Sequence, residues 1–175
     1  MVQSHGFVIE PDDASSGILS NIKISEEVAE KEEELINPVG MYNKIITHPR
    51  ISKVSSDLFG DGYYDESVLK AYIEIESMIK EKTSYPEKHG KKLIGSALMF
   101  YVFRAEAPIL KLNSLKSDFE IDEQQGFCKI FAGAYEGIRN PHPDSNIKME
   151  PIEAIRLLSL ANLLAEKVDQ AEYTG

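Results

Sequence analysis

The stretch Gly137-Ile-Arg-Asn-Pro-His-Pro-Asp144 gathers an arginine, an asparagine and a histidine where an apolar-faced helical pattern is stopped by two prolines. Arginine is permanently charged and presents five donors in a planar fork, so Arg139 suits a phosphate or a carboxylate. It follows Ile138, a core-facing position, which places its guanidinium at the edge of the packed face. A histidine near a helix C-terminus is favoured in its protonated form, and His142 would then serve as a general acid near neutral pH. Arg139, Asn140 and His142 together fit RNA cleavage by 2′-hydroxyl attack, which needs proton transfer and charge stabilisation on the phosphate but no metal. Two such sets across a two-fold axis would supply a fuller site, and dimers of that symmetry are the commonest oligomers.

Each of these residues also has a structural reading. Arg139 can cap the last carbonyls of its helix or pair with a carboxylate such as Glu76. Glu76 flanks an apolar stripe four residues after Tyr72, and a partly buried carboxylate there needs a cationic partner. Asn140 can end the helix in a left-handed conformation or hydrogen-bond locally. Pro141 disfavours the α region for Asn140, so His142 lies off the helix. Cys128, between Phe127 and Phe131, reads as a buried structural thiol rather than a nucleophile. On residue chemistry alone both readings stay open.

The 175 residues suit one compact domain with extensions, and 42% hydrophobic with 27% charged residues is a soluble globular balance. No apolar run approaches the roughly 20 residues of a membrane span, and Met1-Val-Gln-Ser-His lacks the basic start and apolar core of a secretory signal. A cytoplasmic protein is expected. One cysteine excludes an intrachain disulfide and a multi-cysteine zinc site. A net charge of −10 argues against broad, sequence-independent nucleic-acid binding, which depends on neutralising phosphates, but leaves room for a local cationic site. The sequence carries no Walker loop, GxGxxG, HExxH or CxxC, so no cofactor and no metal is expected.

Stepping along the chain, residues 1–40 read as an acidic extension with one short charged helix around Glu26–Glu34 and a boundary at Asn37-Pro38. Residues 41–175 read as the helical domain. A first helix opens at Pro49 with Ile51, Val54 and Leu58 on its stripe and ends at Gly60 and Gly62. A second starts near Asp65 and aligns Val68, Tyr72, Ile75 and Ile79. Lys91 to Phe103 forms a third, although Tyr101-Val-Phe suits a strand equally. Ala107 to Asn113 is a connector anchored by Ile109, Leu110 and Leu112. The fourth helix opens near Asp122 and carries Phe127, Phe131, Ala134 and Ile138. The fifth opens at Pro151 and is apolar over more than one stripe, which places it centrally or at a dimer interface. About five helices without a convincing strand ladder predict an all-α bundle.

Several motifs in order, His48-Pro-Arg-Ile51, Asp61-Gly-Tyr-Tyr64 with Glu66-Ser-Val-Leu69, Leu110-Lys-Leu-Asn113, Asp122-Glu-Gln-Gln-Gly-Phe127, Ile130-Phe-Ala-Gly-Ala134 and Gly137-Ile-Arg-Asn-Pro141, resemble the Ymh-like family of conserved hypothetical proteins, grouped with the HEPN superfamily. The resemblance runs from His48 to about Ala171. It implies a HEPN-like bundle, commonly a homodimer, in a superfamily whose arginine, polar residue and downstream histidine form a metal-independent endoribonuclease site. Such domains recur in phage defence and toxin–antitoxin systems. Arg139 and Asn140 match the first two positions, but Asp144 stands where the histidine is expected and Pro143 precedes it. An aspartate at neutral pH donates no proton unless its pKa is strongly raised, and when ionised it repels phosphate. His142 lies two residues early between prolines. Two functions follow: an altered endoribonuclease using Arg139, Asn140 and His142, or a degenerate module that binds a protein partner, through its N-terminal extension, and pairs Arg139 with Glu76.

Overall fold

The computed structural model describes residues 37–84, 87–88, 91–139 and 148–175. Backbone contacts divide the chain into Met1–Asn37 and Pro38–Gly175, and the described elements belong to the second unit. Its order is α1 (Pro38–Ile45), α2 (Pro49–Gly60), α3 (Tyr64–Lys82), β1 (Glu87–Lys88), β2 (Lys91–Lys92), α4 (Gly95–Phe103), β3 (Leu110–Lys111), α5 (Asp118–Gly137), α6 (Pro151–Gln170) and β4 (Glu172–Tyr173). The described residues are therefore mostly helical, with six helices and two antiparallel two-residue ladders, β1 with β2 and β3 with β4. The expected charged helix around Glu26–Glu34 lies outside the described residues.

Pro49 sets the start of α2. It holds His48 in an extended conformation (φ −68°, ψ 121°) and occupies a first-turn position that needs no N–H donor. The buried face of α2 is Ile51, Ser55 and Phe59, whereas the expected Val54 and Leu58 sit at its margin. A serine takes a core position here because its hydroxyl is satisfied. It lies 2.7 Å from the Tyr42 hydroxyl and donates to the Ile51 carbonyl at 2.7 Å. On α3 the stripe of Val68, Tyr72, Ile75 and Ile79 is buried as its spacing predicts, and Glu76 is buried with it.

Two helix starts differ from expectation for local reasons. The third predicted helix gives up Lys91 and Lys92 to a ladder, and α4 opens only at Gly95; Tyr101-Val-Phe is helical. α5 opens four residues earlier than Asp122, at Asp118, because Ser117 and Glu120 form a capping box. The Glu120 N–H donates to Ser117 Oγ at 3.3 Å and the Ser117 N–H donates to Glu120 Oε2 at 3.0 Å. The ladders escaped expectation because two residues are too few to show the alternation that marks a strand. In the connector, Leu110 is fully buried, and Leu110 pairs with Tyr173 while Lys111 pairs with Glu172.

α6 packs against α1, α2 and α3, and α5 packs against α4. One broad side of α6 is buried inside the chain, with Ala154, Ile155, Leu158, Ala161, Leu164, Ala165 and Val168, while Ile152 and Leu163 stay exposed. Stacked Phe103 and Phe131 rings, 4.2 Å between centroids, join α4 to α5. An edge-on Tyr72–Tyr135 pair at 6.0 Å joins α3 to α5, and the Tyr135 hydroxyl donates to the Tyr72 carbonyl at 2.6 Å. The tyrosine contacts bring the end of α5 beside the middle of α3.

Candidate functional site

Three helices meet at a charged cluster. α3 contributes Glu76 and, one turn on, Lys80. α4 contributes the N–H of Gly95, and Arg139 follows the end of α5. Glu76 lies on the inner side of α3 beside Ile75 and Ile79 and is only 4% exposed, a position where a carboxylate must be paired. Lys80 Nζ donates to Glu76 Oε1. The Gly95 N–H donates to Oε2 at 3.2 Å, and Arg139 Nη1 lies 3.6 Å from the same oxygen. Gly95 adopts φ +58°, a left-handed backbone that a residue with a Cβ enters only with strain, and this aims its N–H at Glu76. The requirement is conformational rather than steric, since a Cβ there would meet Arg139 Nη1 at an ordinary 3.8 Å.

Arg139 is positioned by its own helix end. Its N–H donates to the Ala134 carbonyl at 3.3 Å, and its guanidinium carbon lies 5.9 Å from the centroid of the Tyr135 ring. The side chain is 27% exposed, while Nε is closed off from solvent and has no hydrogen-bond partner among the described residues. Burial, and then the charge of Glu76, push the Tyr135 phenol well above the ordinary tyrosine range. The cluster thus holds two cations around one carboxylate. Chemically it can retain a buried charge and tie α3, α4 and α5 together, with the Arg139 guanidinium partly open to solvent.

The sequence-derived candidates divide accordingly. Arg139 and Glu76 are brought together, whereas Asn140, His142 and Asp144 lie outside the described residues. Lys80 and Gly95 were not foreseen. The Glu76–Lys80 spacing of four on one helix was a readable signal, but the role of Gly95 depends on a backbone torsion and a distant carboxylate. Cys128 is 6% exposed and burial pushes its thiol upward, which disfavours the thiolate form of a nucleophile. Among the described residues no group of three or more histidine, cysteine, aspartate or glutamate side chains could hold a metal.

The remaining motifs have structural partners. Asn162 Oδ1 accepts the N–H groups of Thr47 and His48 at 2.9 and 2.7 Å, and His48 Nε2 lies 3.1 Å from Asp169 Oδ2. Arg50 joins α2 to Glu74 and Glu81 of α3. Fully buried Gln124 donates to the carbonyls of Phe103 and Leu110 at 2.9 and 3.0 Å and accepts the Leu112 N–H at 2.9 Å, which fixes the connector against α5. Asn113 donates to Glu123 at 3.0 Å.

Residues 46–168 match the family described as "Protein of unknown function (Hypoth_ymh)". The chain belongs to that family. The matched span opens two residues before His48 and closes within the last turn of α6, so it takes in all the residues of the charged cluster. No curated protein and no solved structure matches the chain. Among the described residues no helix is long and apolar enough to cross a membrane.

Proposed function

We propose that this Hypoth_ymh member is a HEPN-like helical module that binds a protein partner and does not cleave RNA. The observation that carries this reading is the pairing of Arg139 with buried Glu76, itself already engaged by Lys80 and the Gly95 N–H. A scissile phosphate approaching Arg139 would meet a carboxylate 3.6 Å from the guanidinium that should receive it. Asp144 at the position of the expected histidine supports the same reading, because the proton donor of the resembled site is replaced by a residue that is anionic at neutral pH. In phage defence or a toxin–antitoxin pair, such a chain would be the binding or regulatory member.

A second reading, an altered metal-independent endoribonuclease, is favoured by one feature of the same cluster. Arg139 stays partly exposed, so its guanidinium can still meet an anionic phosphodiester. Incubating the purified chain with labelled structured RNA in EDTA, beside Arg139→Ala and His142→Ala, separates the two. The binding module leaves the RNA intact in all three reactions. Cleavage by the parent chain that is lost in both variants overturns the proposal in favour of the nuclease.

A further inference from the structure

We propose that the outer face of α4, with the adjoining rim of α5, docks an acidic amphipathic segment of a partner protein. This names the surface used by the binding module proposed above and rests on that reading. The nine residues of α4, Gly-Ser-Ala-Leu-Met-Phe-Tyr-Val-Phe, contain no charge. Leu98, Met99, Val102 and Phe103 face inward and are fully buried, which accounts for one side of the helix. The helical period turns Ala97 and Phe100 the other way, and Phe100 is 48% exposed. α4 thus presents an uncharged strip with an exposed aromatic ring on its solvent side.

Phe100 stands between two hollows of ≈ 430 and ≈ 210 Å³. Leu93, Ala97 and Tyr101 line the first; Gln125, Cys128 and Lys129 help line the second; Phe100 and Arg104 border both. Two small hollows separated by a ring can each take one apolar side chain from successive turns of a docked helix.

The charge around them fixes the partner's character. Arg104 and Lys129 are exposed at the hollows, and among the described residues that line them Glu106 is the one acidic side chain, on a chain whose net charge is −10. Arg104 is also held in place. Its guanidinium carbon lies 4.8 Å from the Tyr101 ring centroid and its Nε donates to the Ala107 carbonyl at 3.0 Å. Its terminal nitrogens make no hydrogen bond among the described residues, leaving the fork open to a carboxylate. Local cations on an acidic protein select and steer an acidic partner. Nucleic acid fits less well, because two cations neutralise few phosphates.

The test places a photo-crosslinking phenylalanine analogue at position 100 of the full chain in its native cells and sequences the captured segment by mass spectrometry. The expected segment carries apolar residues at helical spacing flanked by aspartate or glutamate. Its yield should fall roughly ten-fold or more when Arg104→Glu and Lys129→Glu are combined, and much less with Arg104→Lys, which keeps the charge. An unchanged thermal midpoint of each variant shows that the loss is one of docking. Capture of a segment without acidic residues, of a second copy, of RNA, or of nothing overturns the proposal. Capture of a second copy sinks the docking surface alone, whereas RNA cleavage in EDTA sinks the binding-module reading whatever is captured.

Discussion

Replacing Glu76 by glutamine tests whether Arg139 is held inside the fold. At 3.6 Å and an effective dielectric near 20, the attraction between Arg139 and Glu76 is about 4–5 kcal/mol before desolvation. Most of that is offset, because the Glu76 side chain is only 6% exposed and was stripped of water on folding. Glutamine keeps the volume and can still accept the Gly95 N–H. The cations, with side chains 27% exposed for Arg139 and 15% for Lys80, can partly turn to water. The net loss should therefore be about 1–3 kcal/mol, below the 3–5 kcal/mol of a fully enclosed pair. For a chain of this size that lowers the thermal midpoint by about 3–10 °C. The assay is urea unfolding of the parent, Glu76→Gln, Arg139→Met and the double variant, followed by a double-mutant cycle. A coupling of about 1 kcal/mol or more is expected. Coupling within about 0.3 kcal/mol of zero would refute the pairing and return Arg139 to the pool of groups available to a ligand.

Asn162→Ala should cost about 1–3 kcal/mol in the same assay, since it strands the buried N–H of His48 and removes the acceptor of the Thr47 N–H; a loss below about 0.5 kcal/mol would show that the α1–α2 junction does not depend on α6. Burial raises the phenols of Tyr72 and Tyr135 above the ordinary tyrosine value of 10.0, so the folded state favours their neutral forms. That contribution is complete below the ordinary tyrosine range and is lost as pH rises through and beyond it. Phenolate absorbance followed beside circular dichroism should show these two ionising only as the helices unfold; full ionisation of all eight tyrosines with the fold retained would contradict it.

Much of the fold was legible because it rests on local rules. Pro49 and Pro151 fix helix starts by their ring geometry, and Val68, Tyr72, Ile75 and Ile79 declare the buried face of α3 by spacing. The Ser117–Glu120 capping box was also written in the chain, and overlooking it moved the expected start of α5 to Asp122. Ser55 was illegible as a core residue because its burial depends on Tyr42 from another helix. β3 and β4 were illegible because each pairs with a segment more than sixty residues away.

The same division runs through the site. Residue type alone determined that Arg139 is a permanent cation, and spacing put it at a helix end. Spacing alone put Lys80 one turn from Glu76. Only the packing of α5 and α4 against α3 decided that Arg139, Lys80 and the Gly95 N–H converge on a single buried carboxylate. A buried charge has no low-energy alternative to being paired, so the partner of Glu76 was a requirement of the chain, but which cation would meet it depended on where three helices came to rest.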